Sequence, residues 1–207
     1  MNIVLIGIQG SGKGTLVADL QNYIDFELIS TGKLFRDEIA TGSQLGKYIA
    51  ELINAGNLVD NDTVMQVLKN KLDSVAKPNV VFDGFPREIG QAKLLKQIMD
   101  VDLVINLNLS KEKAIDRLLN RLTCKKCNLI TKKTEVNSNV CSACGGELFT
   151  RDDDTVESIN KRFEIFENNT LPLLDLYKSW GVKVVDIDAS QTPKQVLADV
   201  MRVIKWA

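Results

Sequence analysis

Gly7-Ile8-Gln9-Gly10-Ser11-Gly12-Lys13-Gly14-Thr15 follows directly on a short apolar run, Ile3–Ile6, and opens a helical pattern. Glycines at this spacing let the backbone turn its N–H groups inward around an anion, and the helix start adds the positive end of its dipole. Lys13 is placed to reach the outer phosphates of anything held there. A strand in front and a helix behind separate such a phosphate loop from a chance cluster of glycines. They also set the class of fold, a parallel α/β sheet that places its ligands beyond the carboxyl ends of its strands.

Outward from the loop, apolar runs of strand length recur at Glu27–Ile29, Val80–Phe82, Leu103–Leu109 and Val182–Ile187, each followed by a helical pattern. This alternation predicts a doubly wound, parallel five-stranded sheet with helices on both faces. Ser110 starts a helix expected over Lys111–Leu122, and Thr192 with Pro193 starts the last one. Gly42 and Gly181 are expected helix stops. Two stretches break the alternation. Residues 31–59 are helix-like with no strand, and residues 123–155 are polar, rich in turn formers and hold every cysteine. The expected core is therefore 1–30, 60–122 and 156–207, carrying a helical insert at 31–59 and a second insert at 123–155.

The 207 residues, 44% of them hydrophobic, suffice for one full core. A net charge of -1 gives no whole-molecule attraction to nucleic acid or an anionic membrane, so any phosphate chemistry must rest on locally gathered cations. The N-terminal apolar run is short and has no basic leader, and no stretch approaches the roughly 18 apolar residues of a membrane span. A soluble, cytoplasmic protein is expected, and a monomer, since no exposed apolar seam is evident. Only seven of the 26 basic residues are arginines. A chain sparing with arginine can keep it for positions where a planar fork of donors grips phosphate bidentately.

Cys124-x₂-Cys127 and Cys141-x₂-Cys144 form two paired knuckles. That spacing belongs to a closed tetrahedral zinc site, and a disulfide framework suits a secreted protein better than this one. Four thiolates leave the ion no open position, so the metal would be structural.

The Gly12-Lys13-Gly14-Thr15 ending of the loop resembles that of the nucleoside monophosphate kinases. So do Ser30-Thr31-Gly32-Lys33-Leu34-Phe35-Arg36, Gly56-Asn57-Leu58-Val59, Asp83-Gly84-Phe85-Pro86-Arg87 with Gln91, Asp116-Arg117-Leu118-Leu119-Asn120-Arg121, and Arg151-Asp152-Asp153-Asp154 with Arg162. Within that family the four-cysteine insert resembles the long zinc-binding lid of some bacterial adenylate kinases, and the likeness runs from the first strand to the last helix.

The resemblance implies an enzyme that moves the terminal phosphoryl group of ATP reversibly onto AMP, giving two ADP, with magnesium accompanying ATP. Gly10, Ser11, Gly12, Lys13, Gly14, Thr15, Arg117 and Arg121 would hold ATP. Thr31, Arg36, Asn57, Val59, Gly84, Arg87, Gln91, Arg151 and Arg162 would hold AMP, making 31–59 the AMP-binding insert. Lys13, Asp83, Arg87, Arg121, Arg151 and Arg162 would serve the transfer itself, Asp83 by ordering the hydration shell of magnesium.

Gln91, four residues beyond Arg87, is expected on the same helix face, as is Arg121 four beyond Arg117. The sequence departs from the family pattern at Gln9 (usually proline), Lys33 (usually aspartate), Asn120 (usually glycine) and Leu122 (usually arginine). A stiffer hinge and weaker magnesium anchoring are expected from these departures.

Three other readings compete. Asn70-Lys71-Leu72-Asp73 spells a guanine-recognition motif, but it lies inside a helical pattern and no Asp-x-x-Gly switch precedes it. A zinc-ribbon nucleic-acid binder would use Lys125, Lys126, Lys132 and Lys133, yet the insert offers a single aromatic, Phe149, for stacking. A uridylate or cytidylate kinase differs only in the acceptor base. Thr31, Gln91 and the long lid favour adenylate.

Overall fold

The computed structural model of the chain describes residues 1–73 and 79–204; positions 74–78 and 205–207 of the expected core lie outside the described residues. The first half runs β1 (Asn2–Ile6), α1 (Lys13–Leu20), β2 (Glu27–Ser30), α2 (Thr31–Ala40), α3 (Gln44–Asn54), α4 (Asn61–Asp73), β3 (Val80–Asp83) and α5 (Ile89–Ile98). The second half runs β4 (Leu103–Asn108), α6 (Lys111–Leu119), β5 (Arg121–Cys124), β6 (Ile130–Lys132), β7 (Leu148–Phe149), α7 (Val156–Ile165), α8 (Pro172–Ser179), β8 (Lys183–Asp188) and α9 (Pro193–Val203).

Among the described residues, five strands form one sheet in the order β2-β3-β1-β4-β8, and every pairing is parallel. β1 stands at the centre, with Ile3 opposite Val81 on one side and Leu103 on the other. Alternate residues of one strand point to opposite faces. Ile3 and Leu5 join a core with Leu16, Val17, Leu20, Ala114, Phe163 and Val200, from α1, α6, α7 and α9. Val4 and Ile6 join a second core with Val64, Leu68, Leu95, Leu173 and Tyr177, from α4, α5 and α8. A sheet covered on both faces buries its strands completely, which is why they read as unbroken apolar runs rather than alternating ones.

Local chemistry sets the helix ends. The Ser110 hydroxyl accepts from the Lys113 N–H at the start of α6, and Thr192 and Gln195 cap α9 reciprocally with Pro193 in its first turn. Gly42 and Gly181 turn the chain after α2 and α8 at φ of 69° and 78°, conformations that cost glycine little.

The structure corrects one boundary. The helix expected to reach Leu122 stops at Leu119. Asn120 folds its side-chain amide back onto the Asp116 carbonyl and carboxylate, both at 3.0 Å. Arg121–Cys124 then pairs antiparallel with β6 and β7 as the centre of a small separate sheet. Arg117 and Arg121 therefore share no helix face: one lies in the last turn of α6 and the other opens a strand. Cross-strand pairing outweighs a helical propensity that the leucines at 118, 119 and 122 would otherwise support.

Candidate active site

The loop after β1 takes the course its glycines allow. Gly10 and Gly12 sit at φ of 84° and 94°, and a Cβ on Gly10 would come within 2.8 Å of the Ala114 carbonyl oxygen, so α6 closes against the loop only because the residue is glycine. Lys13, the first residue of α1, turns its ammonium back to the Gly7 and Ile8 carbonyls at 2.6 and 3.2 Å. Burial pushes this ammonium down to about 8; Asp83 opposes the shift, while Arg87 and Arg121 add to it. Lys13 thus shares one region with the end of β3 and the start of the small sheet.

At the ends of β2 and β3, Ser30 donates to the Asp83 carboxylate at 3.3 Å, and Thr31 donates to the Gly84 carbonyl at 2.7 Å. Gly84 has φ of 76°, and an added Cβ would lie 3.0 Å from the Thr31 hydroxyl oxygen and 3.1 Å from the Arg87 guanidinium. Arg87 Nε donates to the Gly84 carbonyl at 2.9 Å.

Gln91 does not share a helix face with Arg87, because α5 begins only at Ile89 after Glu88 in an extended conformation. Its buried carboxamide instead reaches back from the first turn, Oε1 accepting from the Arg87 N–H at 2.8 Å. The Arg87 carbonyl accepts from the Thr170 hydroxyl, also at 2.8 Å.

The remaining arginines converge from several elements. Arg121 grips Asp154 with two bonds, Nε at 3.0 Å and a terminal nitrogen at 2.6 Å, and the Asp154 side chain is fully buried. Arg162 on α7 pairs with Asp153 at 2.8 Å and lies 3.6 Å from Asp154. Arg151 Nε donates to the Thr123 hydroxyl at 3.1 Å.

Burial pushes the Arg151 guanidinium down to about 10, with Arg121 and Arg36 adding to the effect. Arg36 is lowered by burial, with Asp153 opposing and Arg121 adding; Arg87 is lowered by burial, with Asp83 opposing and Arg162 adding. Arg36, Arg87, Arg121, Arg151 and Arg162 therefore lie within electrostatic reach of one another around Lys13 and Asp83. Like charges gathered in a partly desolvated place suit a polyanion.

Other predicted residues stand apart. Arg117 is held by the Gly10 carbonyl at 3.3 Å and the Ala189 carbonyl at 2.9 Å, which fixes it beside the loop rather than beside Arg121. Val59 is buried in the second core, and the Asn57 N–H is spent on the Leu52 carbonyl, so side-chain contact with a ligand is open to Asn57 but not to Val59. Lys33 turns to Asp37 at 2.5 Å on the exposed side of α2. Arg202 pairs with Asp199 on the surface. The residue contacts that the sequence did not announce are Ser30 on Asp83, Thr123 on Arg151 and Thr170 on Arg87. Hydroxyls that act on neighbours far along the chain carry no local signature.

In the small sheet the four cysteine sulfurs lie within 4.8 Å of one another, with Cys124–Cys144 at 3.5 Å and Cys127–Cys141 at 3.7 Å. Sulfurs 2.3 Å from a tetrahedral ion stand about 3.8 Å apart, so this donor set fits a metal. The Cys127 and Lys126 N–H groups point at Cys124 Sγ at 3.5 and 3.4 Å and hold that thiol below its ordinary value.

A glycine loop on the central parallel strand, with a lysine and converging arginines around it, defines a P-loop nucleotide-binding protein. The adenylate kinase family model matches residues 5–182. The chain is 34% identical to the adenylate kinase of Thermosipho melanesiensis over 99% of its own length and 100% of that protein, with the same figures for the adenylate kinase of Thermosipho africanus. It is 37% identical to the adenylate kinase of Treponema denticola over 96% of each chain. The chain belongs to the adenylate kinase family.

Proposed function

We propose that the chain transfers the terminal phosphoryl group of ATP to AMP, reversibly, giving two ADP, and so keeps adenine nucleotides in balance. The observation that carries this reading is the gathering, within electrostatic reach of one another, of Lys13 at the start of α1, Arg36 on α2, Arg87 after β3, Arg121 and Arg151 at the edge of the small sheet, and Arg162 on α7.

An AMP phosphate oxygen attacks the terminal phosphorus of ATP. A new P–O bond forms as the bond to the bridging oxygen breaks, and the electron pair leaves with ADP. Such a transfer needs alignment and charge neutralisation more than covalent help, and no general base is required. The loop from Gly10 to Thr15 and Lys13 take the ATP phosphates, Arg117 meets the adenine, and Arg121 spans to the phosphates. Thr31, Arg36, Asn57, the Val59 main chain, Gly84, Arg87 and Gln91 take AMP. Arg151 and Arg162 turn from their present partners onto the moving group.

Gln91 Oε1 is already engaged by the Arg87 N–H, which leaves its NH₂ to donate. A donor suits N1 of adenine. Magnesium bound to ATP would neutralise charge on the phosphates, with Asp83 ordering its water.

In this reading 1–30, 60–122 and 156–207 are the core, 31–59 closes over AMP, and 123–155 is a lid whose cysteines hold structural zinc. Closure of both excludes water that would otherwise hydrolyse ATP. We assign the protein to the cytoplasm as a monomer, without nucleic acid or membrane as partner. Comparing AMP, UMP, CMP and GMP as acceptors tests the assignment. AMP should give the highest kcat/KM, while UMP or CMP in first place would make the chain a pyrimidine nucleotide kinase. Retention of nucleic acid on a filter, with no phosphoryl transfer, would refute an enzyme altogether.

A further inference from the structure

Between α7 and α8 the helix widens. Residues Phe166–Thr170 form a π-helical turn, and the Leu171 N–H reaches the Phe166 carbonyl five residues back at 2.9 Å. Such a turn inserts one residue, so the next helical face is rotated by roughly 100° from where an unbroken α-helix would put it. The wide turn ends at Thr170, which is buried, and its hydroxyl donates to the Arg87 carbonyl at 2.8 Å.

Arg87 lies in a connection between β3 and α5, outside any regular element that would hold its main chain. Its N–H is fixed by Gln91, its Nε by the Gly84 carbonyl, and its own carbonyl by Thr170 alone among the bonds of the described residues. Arg162 lies eight residues before Thr170, in the α7 helix that leads straight into the wide turn. The π turn therefore joins, through one short helical rod, the arginine on the Asp153 side of the cluster to the main chain of the arginine on the β3 side.

We propose that Thr170 is a positioning residue for the acceptor: through the Arg87 carbonyl it sets where the Arg87 guanidinium stands relative to Arg162. This rests on the reading of Arg87 as a ligand of the AMP phosphate. Thr170 touches neither nucleotide, and it acts by limiting the main-chain freedom of a residue whose fork must meet two phosphate oxygens at once. A small misplacement of such a group is felt strongly, because bidentate contact is lost as a unit.

The test uses the full chain with Thr170→Val, which keeps the shape and removes the hydroxyl, beside Thr170→Ser, which keeps the hydroxyl. Thr170→Val should lower kcat/KM for AMP by about ten-fold or more while the KM for ATP stays within about two-fold, and Thr170→Ser should remain within about three-fold of the parent in both. Thr170→Ala, free of any clash, should reproduce the valine pattern. Equal losses in the serine and valine variants would mean that packing of the wide turn matters and the hydroxyl does not, overturning the proposal. So would a valine variant with parental AMP kinetics, or one impaired equally towards ATP and AMP. Arg87→Lys is measured alongside. If it raises the KM for AMP while Thr170→Val does not, the positioning role fails and the reading of Arg87 stands; if Arg87→Lys leaves AMP unaffected, that reading is what fails.

Discussion

The central sheet and the small cysteine-bearing sheet differ in how much apolar surface they bury. β1, β3 and β4 lie between two apolar cores in which Val4, Ile29, Phe82, Val104 and Ile105 are wholly excluded from solvent. Among the described residues the small sheet's apolar core is only Leu122, Leu148, Cys124 and Cys141, and Leu129, Ile130 and Val140 are left exposed. Fully burying a leucine contributes about 1.5–3 kcal/mol, whereas fixing one residue of backbone costs about 1–2 kcal/mol. Two leucines contribute little towards ordering a lobe of that length, and the four sulfurs, within 4.8 Å of one another, are a group that could hold a metal there. One chain thus carries a region that folds by burial beside a region with little burial and a clustered set of sulfur donors, and the proposal that ligation orders the second can be tested separately from the first.

Removing the proposed metal gives the largest effect. Ligation of structural zinc contributes on the order of 10 kcal/mol to folding such a lobe, so Cys141→Ser with Cys144→Ser should melt the lid well below the sheet. Two transitions in a calorimetric scan, with about one zinc per parent chain by elemental analysis, are the expected outcome. A metal-free protein with four titratable thiols and a single parental transition would erase the distinction between the two regions.

The opposite change strikes the sheet. Phe82→Ala empties a fully buried site on β3 and should destabilise the chain by about 3–5 kcal/mol in denaturant titration. Its effect should appear in the high-temperature transition and leave zinc content unchanged. An equal fall of both transitions, or their merging into one, would show that lid and sheet unfold as one.

Smaller effects sharpen the same contrast at the level of ligands. Arg87→Lys, on the sheet side, keeps the charge and loses the fork. The KM for AMP should rise about ten-fold with ATP affinity nearly unchanged, and equal loss on both sides would misplace Arg87.

The least effect concerns Lys13, whose value of about 8 lies below the ordinary 10.5. The unfolded chain binds more protons than the folded one in that window, so this group's contribution to the stability of the free protein rises as pH climbs from about 8 to 10.5. Bound polyphosphate restores the charge, so ATP binding above pH 8 should take up a fraction of a proton, measured by calorimetry in buffers of different ionisation heat. The uptake should survive in the double cysteine variant, because Lys13 opens α1 on the loop after β1, outside the small sheet; its disappearance there would tie the two regions together.

Much of this was legible in the residues. All five core strands were visible because a sheet buried on both faces demands unbroken runs such as Val80–Phe82, and the glycine loop placed the central one. The caps at Ser110 and Thr192 were equally plain. The end of α6 is hidden because Leu118, Leu119 and Leu122 keep a helical spacing, and only the pairing of β5 with β6 and β7 ends the helix at Leu119. The four-residue spacing of Arg87 and Gln91 suggests one helix face because nothing local announces that Glu88 is extended. The π turn at Phe166–Thr170 was invisible for a similar reason, since its sequence, FENNT, differs in no obvious way from an ordinary helix.

The carboxylates of Asp153 and Asp154 have one more implication. Guanidiniums crowded together and partly desolvated repel each other, and a chain that relied on nucleotide to quiet them would be hard to fold without it. Here Asp154, wholly shielded from solvent, takes both ends of the Arg121 fork, and Asp153 takes Arg162. The chain thus supplies its own stand-in for the anion, so that assembly of the molecule is uncoupled from the supply of its ligand. If these arginines meet phosphate as proposed, the arriving anion would enter by exchange, displacing a resident acid from an arginine already oriented.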